Sequence, residues 1–168
     1  MVEADALIAD LQRERDALFA MLDAVEPGSM TTPGLLGEWS GRELIAHLGY
    51  WTGHATEVIH LLEVGRITED DLGGQTVDEI NATVARIARD TPLATVRKRE
   101  AASVEALVER LRTLDAALLS EVLPDGATLE VGIREDASEH YREHADELRG
   151  VLEEPAQAVG SRSHLGIA

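Results

Sequence analysis

Cysteine is absent from the 168 residues, which excludes disulfides, thiolate metal ligands and any thiol nucleophile supplied by the chain itself. Aromatic side chains are scarce at 3%; Phe19, Trp39, Tyr50, Trp51 and Tyr141 are the whole set. A core built without them must rest on Leu, Val, Ile and Ala, which suits helices packing on helices. No apolar run approaches the roughly 18 residues that a membrane-spanning helix needs. The N-terminal stretch is acidic and amphipathic, unlike the basic-then-apolar pattern of a signal peptide, so a cytoplasmic location is expected. Positive charge is also in short supply: 15 Lys plus Arg face 32 Asp plus Glu, for a net charge of −17. Such an average field repels phosphate backbones and anionic lipid. The expected partner is therefore a small-molecule substrate, with neither nucleic acid nor a membrane.

What is present describes one globular domain, since 44% of residues are apolar and 28% charged. Leu7, Ile8, Leu11, Leu18, Leu22 and Val25 recur at helical spacing and predict an amphipathic helix over about 2–25. Ser40-Gly41-Arg42-Glu43 has the capping-box pattern, and the apolar series Leu44, Ile45, Leu48, Trp51, Val58, Ile59 and Leu62 carries a second helix to about Gly65. A shorter helix is expected over Thr76 to Arg89. Thr91-Pro92 reads as an N-cap followed by proline at the first helical position, opening a long helix through Val96, Leu107, Leu111, Leu118 and Val122. Ala127 to Arg134 alternates weakly and reads as an irregular connection. A last helix, capped by Asp136 or Ser138, ends near Leu152, and residues 155–168 read as a loose tail. The prediction is an all-α fold: a four-helix bundle with one additional short helix, one domain over 1–154.

The chemistry lies in the histidines. His140 and His144 are four residues apart on a helix, about 40° around the axis and about 6 Å along it, so both imidazoles can reach one ion. His47 sits on the apolar face of the second helix, and a buried imidazole needs a polar partner. A metal shared with two facing histidines is such a partner; a hydrogen-bonded core histidine is the alternative. Three imidazoles leave coordination positions for water or substrate, as a catalytic ion requires. Nitrogen-only ligation suits zinc, nickel, iron or copper, with zinc or nickel foremost. His54, seven residues beyond His47 and about 10 Å along the axis, reads either as a pocket wall or as a half-buried core position. His60 faces elsewhere, and Glu43 reads as a helix cap.

The stretch from Glu38 to Leu48, with Trp51 following, resembles the second-helix signature of the DinB/YfiT-like superfamily of metal-binding four-helix bundles. His140-Tyr141-Arg142-Glu143-His144 resembles the family's His-x-x-x-His in the last helix, and Ile80-Asn81 is similar to the stretch preceding its long third helix. The resemblance implies a divalent ion on His47, His140 and His144; Trp51, His54 and Tyr141 are the candidate substrate-pocket residues by their position on the two ligand-bearing helices. It implies a metal-dependent transferase or isomerase using a low-molecular-weight thiol such as mycothiol, as in the mycothiol-dependent maleylpyruvate isomerases. Those enzymes commonly carry Glu at the position of His140, and have a second domain that this chain is too short to hold. The alternative it implies is a metal-dependent hydrolase, or a non-enzymatic ligand-sequestering protein, in self-resistance or stress defence. Members are often dimeric, and apolar stripes that continue across a two-fold axis lead to the expectation of a homodimer.

Overall fold

The computed structural model describes residues 2–68 and 72–153. The described residues form six α-helices and two short 3-10 segments: α1 Val2–Leu22, α2 Gly41–Glu63, α3 Val77–Arg89, α4 Leu93–Thr113, α5 Leu129–Asp136 and α6 Ser138–Glu153. Among these residues there is no β-sheet, only two isolated bridges. The four long helices make the bundle. α2 packs most extensively, on α4, and α1 packs along α6. α3 and α5 are short helices laid against α2. The tail expected over 155–168 lies outside the described residues.

Each helix starts where the local chemistry favours it. At α2 the Ser40 backbone N–H donates to the Glu43 carboxylate at 2.8 Å, and at α3 the Glu79 N–H donates to the Thr76 hydroxyl at 3.2 Å. Both satisfy amides that a helix leaves without partners. The interior is aliphatic. Leu11, Leu18 and Leu22 of α1 meet Leu44, Leu48 and Ile59 of α2, Leu107 and Leu111 of α4, and Leu148 of α6, all essentially inaccessible. Burying each such side chain stabilises by about 1.5–3 kcal/mol.

Three boundaries depart from the sequence reading. Pro92 is itself the N-cap of α4, because the Thr91 hydroxyl turns back to donate to the Ile87 carbonyl at 2.8 Å. α4 stops at Thr113 although apolar residues recur to Val122. Leu114 is extended, and the Asp115 carboxylate accepts from the Ala117 N–H at 3.1 Å, nucleating a 3-10 turn in place of another helical turn. The expected irregular connection is helix α5, capped by Thr128. Leu129 and Ile133, which read as alternating, are one helical turn apart and buried together, while Val131 points outward.

α2 and α4 approach closely where Gly49 faces Glu100. A Cβ on Gly49 falls 2.9 Å from the Glu100 Cα, a backbone atom that moves only with its helix. Gly49→Ala is expected to lower stability by about 1–3 kcal/mol despite alanine's better helix propensity. Thermal melts read the effect, and a raised midpoint would contradict this packing.

Candidate metal centre

The capping box fixes the start of α2, and His47 follows one turn later. Glu43 is buried, and its second carboxylate oxygen accepts from Arg89 Nε at 2.5 Å, tying the end of α3 to the start of α2. His47 is 5% exposed. Its ring centroid lies 4.6 Å from His140 and 5.1 Å from His144, and the Nε2 atoms of His47 and His140 are 2.8 Å apart. One ligating nitrogen from each of the three falls within 4.8 Å of the others. The structure thus brings His47, His140 and His144 together.

Their chemistry fits a metal. Burial, reinforced by the charges of His140 and His144, pushes His47 from 6.5 down to about 3. Burial, and then His144, pushes His140 down to about 4. Both imidazoles are therefore neutral at pH 7 and carry the lone pairs that ligation requires. His144 donates from Nδ1 to Glu147 Oε2 at 2.7 Å, which leaves its Nε2 lone pair available. An ion about 2.1 Å from each of two nitrogens in tetrahedral geometry separates them by about 3.4 Å. The His47 and His140 rings, joined by a hydrogen bond at 2.8 Å, therefore need to part only slightly. Among the described residues the cluster contains three ligands and no fourth.

Two tryptophans bracket the cluster. Trp39 lies 4.7 Å from His47 and 6.4 Å from His144, centroid to centroid. Its backbone is held by a tight turn with Leu36, in which Gly37 has φ +58°. Trp51 lies 6.4 Å from His140, and its indole N–H donates to Asn81 Oδ1 of α3 at 3.0 Å. On the His144 side a groove of about 560 Å3 opens between Leu36, Gly37 and Trp39 and the Glu147, Gly150 and Val151 face of α6. Of the three histidines, His144 lines that groove.

The other two expected pocket residues do not join them. His54 donates from Nδ1 to Asp136 at 2.6 Å and lines a separate small cavity with Leu123 and Glu135, although its ring still touches Trp51. Tyr141 is fully buried on the core side of α6, where its hydroxyl donates to Glu100 at 2.6 Å. Burial and that carboxylate hold the phenol well above its ordinary range. His60 is exposed on another face. Sequence reasoning missed Trp39, Asn81 and Glu147 as site residues. Glu147 was accessible to it, because an acid three residues after a histidine on a helix is a neighbour.

Two predictions follow from this geometry. Glu147→Ala is expected to weaken metal binding about tenfold by freeing the His144 ring, with helicity unchanged; calorimetric titration with zinc measures it. The second concerns acid. Below about pH 6.5 the unfolded chain protonates His47, while the folded protein resists protonation until about pH 3. Stability of the metal-free protein therefore falls as pH drops through that window, by up to about 1.4 kcal/mol per unit from this one group. Urea titrations at several pH values should show the slope, and His47→Gln should flatten it.

Known proteins share the fold. The family model described as the DinB superfamily matches residues 10–148. This chain belongs to the DinB superfamily. Among solved structures, the colibactin self-resistance protein ClbS in complex with a dsDNA superposes with TM-score 0.73 at 16% identity, covering 91% of this chain and 97% of that one. An uncharacterised protein from Escherichia coli UTI89 superposes with TM-score 0.70 at 14% identity, covering 89% and 92%. The mycothiol-dependent maleylpyruvate isomerase gives 0.68 at 17% identity, covering 86% of this chain and 60% of the isomerase. No curated protein matches in sequence.

One expectation is corrected by these findings. Nucleic acid was excluded on mean charge, yet a protein of the same DinB-like fold is crystallised with dsDNA. Mean charge is the wrong quantity, because a ligand meets the local surface. Between residues 86 and 99 the chain carries Arg86, Arg89, Arg97, Lys98 and Arg99 against one acid, Asp90; Arg89 and Arg97 are paired with Glu43 and Asp23 from elsewhere, which leaves Arg86, Lys98 and Arg99 as the locally unpaired cations among the described residues. As for membranes, no helix among the described residues is long and apolar enough to cross one.

Proposed function

We propose that this DinB-superfamily protein is a divalent-metal-dependent transferase that joins an external low-molecular-weight thiol, such as mycothiol, to an electrophilic small molecule. The observation that carries the reading is the set of three convergent imidazoles, one of which, His144, borders an open groove, in a chain without cysteine. His47, His140 and His144 are its ligands, and zinc or nickel is the ion assigned among those that imidazole ligation suits. A bound ion of this kind lowers the pKa of a thiol or water beside it and so supplies a nucleophile near neutral pH.

The chain's own residues do the rest. Glu147 orients His144 by holding its Nδ1 proton. Asn81 fixes the Trp51 indole, which walls the His140 side and helps to screen the buried His47 and half-buried His140 from bulk water. Trp39 and Leu36 offer a flat apolar surface where the groove meets the ligands, suited to the body of an apolar electrophile.

The likeness to the colibactin self-resistance protein over nearly both whole chains favours a second reading. Water would then replace the thiol, giving a hydrolase of a reactive toxin, with duplex DNA as a partner. Incubation of the zinc- or nickel-loaded protein with mycothiol and chlorodinitrobenzene separates the two. Metal-dependent consumption of thiol, lost in His144→Ala, supports the transferase. Thiol-independent loss of an electrophilic substrate supports the hydrolase, and no metal-dependent turnover of either kind contradicts both.

A further inference from the structure

Away from the histidines, a cavity of about 230 Å3 lies between α2, α3 and α4. Ala46 and Gly49, which line it, are about 100° and 160° around α2 from His47, so the two sites use different faces of one helix. Its walls are mainly aliphatic: Ala46 from α2, Val84 and Ala88 from α3, and Val96 from α4. Partly enclosed apolar space of this kind favours an apolar guest, because the walls present few groups for water to bond.

The charges at the cavity select among apolar guests. Glu100 contributes to the wall, but its two carboxylate oxygens are already engaged by Arg15 at 2.6 and 2.7 Å and by the Tyr141 hydroxyl. Its charge is therefore neutralised from behind and offers little to a cation. Arg99 also lines the cavity and is exposed, and among the described residues it has no ion-pair partner. The neighbouring Lys98 and Arg86 are likewise exposed and unpaired among those residues. The other polar groups on the walls are the hydroxyls of Tyr50, Thr91 and Ser103, the Thr91 hydroxyl already donating to the Ile87 carbonyl, so Arg99 is the one unpaired charge that a guest meets there and a neutral apolar molecule would leave it unused.

We propose that this cavity binds a small amphiphilic monoanion, an alkyl or aromatic body carrying one carboxylate, with the body between α2, α3 and α4 and the carboxylate on Arg99. The site is distinct from the metal centre and independent of its chemistry. Calorimetric titration of the full chain with octanoate, octan-1-ol and octylammonium tests it. Octanoate is expected to bind with one-to-one stoichiometry and more tightly than either comparator. Arg99→Gln is expected to weaken octanoate by about fivefold, the size of an exposed ion pair, and to leave octan-1-ol unchanged. Val84→Trp and Ser103→Leu, each verified as folded by circular dichroism, are expected to remove octanoate binding by filling the space. His144→Ala is expected to keep it. Equal affinity for the three probes, indifference to Arg99→Gln, retention in both folded filling variants, or loss in His144→Ala would each overturn the proposal. The last outcome would place the carboxylate at the histidines.

Discussion

Replacing His144 with alanine is expected to lower the affinity for a divalent ion by more than about 100-fold while leaving the helical fold intact. A ligand bond is lost outright, and even residues that only orient a ligand are worth about 10- to 100-fold. His47 and His140 remain as a pair with too few donors to hold an ion in competition with buffer. The fold survives because His144 contributes little to the core; it lies at the mouth of the groove beside Trp39 and Glu147. Zinc titration with a competing chelator reads the affinity, and circular dichroism reads the fold. Undiminished zinc binding by the variant would remove His144 from the site.

The second large effect is expected at Arg15. Along α1 the apolar stripe passes from Leu11 to Leu18 with Arg15 between them, and Arg15 spans that gap to grip Glu100 through Nε and Nη2 at 2.6 and 2.7 Å. Glu100 has a fully buried side chain, while that of Arg15 is 24% exposed. Removing the cation leaves a buried carboxylate with only the Tyr141 hydroxyl as its donor. Arg15→Leu is therefore expected to cost about 3 kcal/mol, the lower end for breaking a buried pair, because Arg15 keeps partial contact with water. Adding Glu100→Gln should recover much of the loss, since a neutral amide can still accept from Tyr141. Urea unfolding of the two variants measures both steps. A loss below about 1 kcal/mol in Arg15→Leu would mean that the carboxylate is stable without its guanidinium.

The bundle was legible in the sequence because its helices carry their own signals. The apolar stripes of α1 and α2, the capping box at Ser40, and the glycine after α2 are local features, and a reader of local features finds them. The end of α4 was not legible for the same reason. Leu118 and Val122 continue its spacing, and only the competition between Asp115 and the next helical turn, settled by packing, stops the helix. α5 was missed because eight residues show too little period to separate one turn of helix from alternation.

At the site, the convergence of His47 with His140 and His144 followed from helix geometry and family resemblance together. The pocket did not. Tyr141 is adjacent in sequence to His140, but one residue is about 100° of rotation, enough to carry its ring into the core. Trp39 comes from a turn whose path depends on Gly37, and sequence spacing does not specify where such a turn places a side chain.

The central claim is that three imidazoles, one of them bordering an open groove, hold one divalent ion. X-ray absorption at the metal edge of the zinc- or nickel-loaded protein tests it most directly. The account predicts one ion per chain, three imidazole nitrogens at about 2.0–2.1 Å with ring scattering beyond them, and the remaining coordination from light exchangeable atoms. A shell of oxygens without imidazole scattering, or an unchanged spectrum in His47→Ala, would contradict it.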